Sequence, residues 1–293
     1  MMGILDGRRV VVTGAGSGLG AAYARCIAAE GAAVVVNDLD PEAAESVAAD
    51  VRAHGGRAVS FAADVSDWAA SALLIATCLD EFGEIDGLVN NAGIIGQVGS
   101  MLDTEPTAVA AVMRVNIHGT IAPSVHAARA MVAGGGGAIV NVSSGNQCGH
   151  AEFASYGASK GAVSSLTYAW AAELGPKGIR VNAISPNAHT NMTDDLEAQL
   201  GSNPEERDYP SESDNAAVVT YLLSDRAAHL NGQVIRVDKD LVSVTSHPAV
   251  VEPRVGVRYT PESVAAVFDQ DLRHSLQPLG ISIAAVHHLD SLY

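Results

Sequence analysis

The apolar run Val10-Val11-Val12, closed by Thr13 and followed at once by Gly14-Ala15-Gly16-Ser17-Gly18-Leu19-Gly20, constrains this chain more than any other stretch. Arg8 to Thr13 reads as a buried parallel strand, and an Ala-rich helical pattern runs from the glycines through Glu30. Strand, glycine loop and helix in that order make a phosphate-binding unit. Glycines let a backbone approach a pyrophosphate closely, while loop N–H groups and the helix N-terminus face the anion. A second strand, Ala33 to Asn37, ends at Asp38, eighteen residues after Gly20 and about where the dinucleotide fingerprint places its ribose-binding acid. A carboxylate there accepts hydrogen bonds from ribose hydroxyls and repels a 2′-phosphate, and Gly16, Ser17 and Leu39 offer no base to reverse that preference. The cofactor read from these residues is NAD rather than NADP. Asp38 can also cap a helix ahead of Pro41, a role compatible with the first.

The alternation continues with a helix from Pro41 to about Ala53, a strand from Arg57 to Ala62, a helix from Ser66 to Phe82 and a strand from Gly87 to Asn90. A longer helical stretch, about Thr107 to Ala133, holds Asn116 and His118 and ends in the glycines 134–137. Strands follow at Ala138–Val142, Ile179–Ile184 and Gln233–Val237. The pattern predicts an α/β fold of Rossmann type: a doubly wound, mostly parallel, seven-stranded sheet with helices on both faces. Asp64 and Asn90-Asn91-Ala92-Gly93 stand where strands end, which is where ligands lie in such sheets; Asp64 can equally cap the next helix and Asn91 close a turn. A buried Asn is unfavourable within a helix, so Asn116 is kept for its amide. His118 and His150 read as ordinary loop or core histidines. Residues 1–240 form one expected domain, and 241–293 a C-terminal extension with one helix, Pro261 to about Leu272.

Tyr156-Gly157-Ala158-Ser159-Lys160 places a phenol and an ammonium one helical turn apart on the same face. A nearby cation favours a phenolate, so Lys160 can bring Tyr156 toward a range useful for proton transfer near neutral pH. The formal net charge of -16 argues against nucleic-acid and anionic membrane surfaces as partners. Cys26, Cys78 and Cys148 are odd in number and widely spaced, suggesting neither a disulfide framework nor a zinc site, and no metal is expected. With no apolar run of about 18 residues and no signal-peptide pattern, the expected location is cytoplasmic. Between Ala188 and Asp214 stand eight acids against one base, Arg207, which reads either as a solvated loop or as a substrate lid.

These motifs, taken in order, resemble the short-chain dehydrogenase/reductase family over roughly Gly7 to Asp238. Thr13-Gly14-x-x-x-Gly18-x-Gly20 is similar to its cofactor loop, Asn90-Asn91-Ala92-Gly93 to its central-strand motif, and Tyr156-x-x-x-Lys160 to its catalytic pair. The resemblance implies that Tyr156 is the general acid/base and that Lys160 binds the nicotinamide ribose and lowers the Tyr156 pKa. Ser144 would hydrogen-bond the substrate oxygen, and Asn116 would hold a water in the proton relay. Cofactor contacts are expected from Gly14, Ser17, Gly18, Leu19, Gly20, Asp38, Leu39, Asp64, Val65, Asn91, Ala92, Gly93, Tyr156, Lys160, Pro186, Asn187 and Ala188. A small-molecule substrate and a homo-oligomer, dimer or tetramer, are implied as well.

Three departures stand out. The family usually sets its serine thirteen residues before the tyrosine; Ser143 has that spacing, whereas Ser144, twelve before, is the second serine of the pair and is preferred. Pro186-Asn187 replaces the usual Pro-Gly, and Lys239-Asp240 the usual Gly-Gly, which unsettles the usual subunit contact. Short strings around Asn37-Asp38 and Pro186-Asn187 are similar to the hydroxyacyl-CoA dehydrogenase part of peroxisomal multifunctional enzymes. The expected reaction is reversible hydride transfer between NAD and a secondary alcohol or ketone. If the acidic segment is a lid, the substrate is neutral and largely apolar, of steroid, terpene or aromatic type. A 3-hydroxyacyl-CoA dehydrogenase, a sugar-nucleotide epimerase or dehydratase, and a non-catalytic NAD(H) sensor are the alternatives.

Overall fold

The computed structural model describes residues 3–187, 212–238, 241–250, 252–256 and 260–276. Its order begins β1 (Arg9–Val12), α1 (Gly18–Ala29), β2 (Ala33–Asp38), α2 (Pro41–Ala53), β3 (Arg57–Ala62), α3 (Trp68–Phe82) and β4 (Gly87–Asn90). It continues through α4 (Pro106–Val112), α5 (Gly119–Gly134), β5 (Gly137–Val142), α6 (Ala154–Leu174), β6 (Ile179–Ser185), α7 (Glu212–Leu223), β7 (Val234–Asp238) and β8 (Leu241–Thr245). The strands form one sheet in the order β3-β2-β1-β4-β5-β6-β7-β8. Seven run parallel, as expected; β8 is antiparallel to β7, with Asp238 opposite Leu241 and Val234 opposite Thr245.

Alternating side chains on each strand feed two apolar layers, because successive Cβ atoms leave opposite faces of a sheet. Val10, Val12, Val34, Val36 and Val140 pack against α1, α2 and α7 through residues such as Ile27, Val47 and Leu222. Val11, Val35, Leu88, Ile139 and Val181 pack against α3, α5 and α6 through Leu74, Met131 and Leu174. With both faces covered, the strands read as continuous Val/Ile runs. Strand order reverses between β1 and β4, and the crevice at their carboxyl ends is the expected ligand position in such a sheet.

Two readings of the sequence change. The long helix around Asn116 is interrupted: Met113–His118 forms a π-helical turn between α4 and α5. Such turns widen each hydrogen-bonded ring by one residue and are too short to stand out in a pattern read over a whole helix. The sheet also continues past the expected domain end, since β8 follows β7 across a two-residue connection lacking the glycine that signals a tight hairpin. The compact unit therefore runs to Thr245, and a second unit comprises residues 246–293, in which α8 (Pro261–Val267) starts from a capping box made by Thr260 and Ser263.

Of the acidic segment, residues 188–211 lie outside the described residues; Glu212 and Asp214 occupy the first turn of α7, where a carboxylate complements the helix dipole. Among the described residues no helix is long and apolar enough to cross a membrane. Leu74 is fully buried between α3 and the sheet. Leu74→Ala is expected to cost about 2–5 kcal/mol, read as a lower urea midpoint with unchanged secondary structure.

Candidate active site

Tyr156 and Lys160 lie on the first two turns of α6, both buried. Helical spacing brings the Lys160 Nζ to 5.7 Å from the Tyr156 ring centroid. That ammonium donates to the Val142 carbonyl at the end of β5, 2.8 Å away. Burial pulls it down to about 8. Burial also pushes the Tyr156 phenol above its usual value, and the hydrogen bond from Ser144 pulls the other way. The sequence reading had Lys160 lowering Tyr156. In the protein alone desolvation of the phenol prevails, because the ammonium is turned toward Val142.

The two serines separate cleanly. Ser143 is buried, with its Oγ donating to the Lys160 carbonyl (3.1 Å) and lying 2.7 Å from the Ser164 Oγ, so it joins β5 to α6. Ser144 reaches Tyr156 instead, while its Oγ accepts the Asn146 N–H at 3.2 Å and caps the 3₁₀ turn Gly145–Cys148. That turn lies against the start of α6, where a Cβ on Gly157 would come within 2.7 Å of the Asn146 carbonyl oxygen.

Asn116 is buried in the π-helical turn. Its Oδ1 accepts the Ile94 N–H (2.8 Å), and its Nδ2 donates to the Ile94 carbonyl and to the Ser159 Oγ, each at 2.9 Å. Ser159 in turn donates to the Tyr156 carbonyl at 2.7 Å. The amide thus anchors the segment after β4 to α6 rather than standing open for a water. A Cβ on Gly93 would meet Asn116 Oδ1 at 3.2 Å and Lys160 Nζ at 3.4 Å, which places Gly93 against both.

On the cofactor side, Asp38 accepts the Gly16 N–H (2.8 Å) and the Asp40 N–H (3.1 Å). Asp40, not Asp38, caps α2, accepting from Glu42 and Ala43. The carboxylate of Asp38 therefore keeps spare acceptor capacity toward the crevice. A Cβ on Gly16 would stand 2.9 Å from that carboxylate. Gly14 has φ +59, and its Cβ would fall 2.7 Å from the Ala92 Cα. The N-cap of α1, Ser17, makes no side-chain capping bond and no acid stands in the first turn, so the end that would face a pyrophosphate stays electropositive. Leu39 is exposed, and Leu19 is partly buried against the core.

Asn91 is a brace. Its Nδ2 donates to the carbonyls of Thr13 (3.0 Å) and Gly14 (2.8 Å), while Thr13 Oγ1 accepts the N–H groups of Asn91 and Ala92. Asp64 is held by Ser66, whose bonds keep its carboxyl below the usual range against burial, and by Arg114 at 2.6 Å. Val65 is buried against Gly119. Asn187 donates from Nδ2 to Asp238 (2.9 Å) and accepts at its carbonyl from Asn215, so the residue in the usual glycine position is tied to β7 and α7. Pro186 directly follows β6, and Ala188 lies outside the described residues. His118 is exposed; His150 lies edge-on to Phe153, at 5.0 Å between ring centroids. Ser159 and Arg114 escaped sequence reasoning because each acts through a partner 43 to 50 residues away; Thr13 is in the expected cofactor loop, but its bonds to Asn91 and Ala92 are seen only in the fold.

Comparison with known proteins agrees with this arrangement. A family model described as short chain dehydrogenase matches residues 8–201. The short-chain reductase protein NovJ of Streptomyces niveus is 37% identical over 243 residues, covering 78% of this chain and 91% of that protein. The cis-4-hydroxycyclohexanecarboxylate dehydrogenase of Sinomonas cyclohexanicum is likewise 37% identical, over 81% of this chain and 97% of its own. The crystal structure of a short chain dehydrogenase from Mycobacterium avium superposes with a TM-score of 0.82 at 34% identity, covering 94% of this chain and 98% of that one.

The serine geometry generates a paired prediction. Ser144→Ala should lower turnover about 100-fold, as removal of a donor at a reacting oxygen does, with no more than the loss of about 1 kcal/mol that removal of a cap brings. Ser143→Ala should cost about 1–3 kcal/mol of stability and leave turnover within a small factor, since it removes a buried structural bond. Steady-state rates beside denaturation curves separate the two.

Proposed function

The chain belongs to the short-chain dehydrogenase family, and from that premise we propose that it moves a hydride reversibly between NAD and a secondary alcohol or ketone. The observation that carries this reading is buried Tyr156 with Lys160 one helical turn on, the Ser144 hydroxyl pulling the phenol down against burial, beside a crevice edged by Gly14–Gly20 and Asp38.

The residues fit the cofactor. Lys160 has three N–H donors and finds one acceptor, Val142, among the described residues, which suits an ammonium awaiting ribose hydroxyls. Asp38 would take the adenosine ribose, the Gly14–Gly20 loop the pyrophosphate, and Asn91, Ala92 and Gly93 the floor beneath. A bound nicotinamide would supply the hydride acceptor. The chain's part is proton transfer and positioning. Ser144 would donate to the substrate oxygen and hold it beside Tyr156, whose phenolate takes the alcohol proton in oxidation and whose phenol returns it in reduction. Lys160, charged below about 8, stabilises the phenolate when it forms. Since burial raises the phenol, alcohol oxidation should climb with pH on the alkaline side while ketone reduction falls.

The substrate is proposed to be neutral and largely apolar: Ile95, Val98 and Phe153 surround Tyr156. The relative described as a cis-4-hydroxycyclohexanecarboxylate dehydrogenase supports a cyclic secondary alcohol, although its own substrate carries a carboxylate. A second copy of the chain is proposed to cover the groove of about 410 Å³ between α5 and α6, edged by Val125, Ala128, Val132 and Trp170. The three cysteines are free thiols, in keeping with work in the cytoplasm.

Screening secondary alcohols for NADH formation tests the reaction; no NADH from any alcohol and no ketone-dependent loss of NADH would refute it. Tyr156→Phe should lose at least about 100-fold in turnover yet bind NAD normally by calorimetry. Wild type should favour NAD over NADP in kcat/KM, and Asp38→Ala should narrow the gap by removing both charge repulsion and ribose hydrogen bonds.

A further inference from the structure

The sheet ends in β8, whose pairing with β7 runs without a bulge from Asp238 opposite Leu241 to Val234 opposite Thr245. Gln233 and Val237 give their carbonyls to Ala183 and Asn187, toward β6, so Val234, Arg236 and Asp238 are the residues of β7 that face β8. Their opposites, Leu241, Ser243 and Thr245, bond back to β7. The N–H and C=O groups of Val242 and Val244 therefore point outward, and among the described residues they meet no partner. Leu241, Val242 and Val244 are 66%, 63% and 61% exposed, so both faces of the strand meet solvent as well.

The opposite edge of the sheet is guarded by charge. Arg52 of α2 donates to the Ala58 carbonyl of β3 at 3.0 Å, and Ser60 of β3 donates to Glu45 at 2.7 Å. Charged groups along an edge are a common protection against pairing with another chain. In β8, Leu241-Val242-Ser243-Val244-Thr245 carries no charge and no proline.

We propose that β8 pairs with β8 of a second copy of this chain, antiparallel about a twofold axis at Ser243, so that two sheets join edge to edge. In that register Val242 of each copy exchanges both backbone bonds with Val244 of the other, which uses the outward groups and no others. Apolar side chains then stand directly opposite, and the small Ser243 faces itself on the axis. Charge points to the same occupant. Two copies of formal charge -16 repel, so they can approach closely where the surface is uncharged, whereas a partner of opposite sign finds nothing on this strand to grip. The charges beside it on β7, Arg236 and Asp238, pair with one another at 3.3 Å. The proposal stands apart from the reaction and from the groove between α5 and α6.

Ser243→Cys tests the axis, since directly opposed residues of a non-bonded antiparallel pair stand about 4.5 Å apart at Cα, within disulfide reach. With oxidised glutathione as oxidant this variant should give a covalent dimer above the wild-type background, and Leu241→Cys, opposite Thr245 of the copy, should not. Val242→Lys combined with Val244→Lys sets like charges across the axis and should halve the mass measured by analytical ultracentrifugation in concentrated solution, whether or not the groove holds a further copy. Its circular dichroism and NAD affinity should match wild type, because both side chains are exposed. In wild type, hydrogen exchange at the Val242 and Val244 amides should slow as the protein is concentrated. Slow exchange at every concentration would give the edge to the chain's own residues 246–293, and fast exchange at every concentration would leave it open. Either result, an unchanged mass in the double variant, or no cross-link above background would overturn the proposal.

Discussion

The geometry rests on a clamp between two parallel strand ends. Thr13 closes β1 and Asn91 follows β4, and the bonds between them fix the glycine loop on the neighbouring segment. Adjacent parallel strands whose chains depart to opposite faces leave a crevice with no covalent tie across it. Here side chain and backbone supply that tie. Gly14 is admitted to within contact of Ala92 because it carries no side chain and sits at φ +59. If the clamp loosened, Asp38, bonded to Gly16, would lose its place relative to Gly93 and Lys160.

From that frame the polar interior beneath the site follows. Asn90 donates to Ser124 and Asn141, Asn141 to Thr167, and Asn116 to Ser159, so β4, β5, α5 and α6 are joined by side-chain bonds in a layer where apolar packing alone would allow sliding. Lys160 is the exception within this layer. A buried ammonium with a single carbonyl acceptor among the described residues is under-solvated, and its fall to about 8 expresses that cost. Strain of this kind is what a binding site holds in reserve, since hydroxyls brought by a ligand relieve it.

The fold was largely legible in the sequence because two-sided burial leaves a strong trace: valine runs closed by glycines and acids locate β1 to β7 to within a residue or two. What escaped notice has no periodic signature. A π-helical turn at Asn116 spans only six residues between two helices, and β8 follows β7 without a turn glycine. At the site, the motifs located Tyr156, Lys160 and Asp38, but not what each touches. Asn91 looked like a ligand residue and serves the protein as a brace. Asp40 performs the capping that Asp38 could have performed, a distinction of two residues that only the backbone direction settles.

The serine pair shows why spacing along a chain is weaker than geometry. Successive residues leaving a strand point to opposite sides, so Ser143 and Ser144 cannot both face Tyr156. Ser143 continues the inward alternation of β5 and is consumed by Lys160 and Ser164. Ser144 is extended (φ -159, ψ 154) and leads into a turn, which frees its hydroxyl for the phenol. Shortening the following loop by a residue changes the count to the tyrosine but not the alternation at the strand end. The serine that faces Tyr156 is thus set by the sheet, and the length of the loop decides only what else is brought beside it.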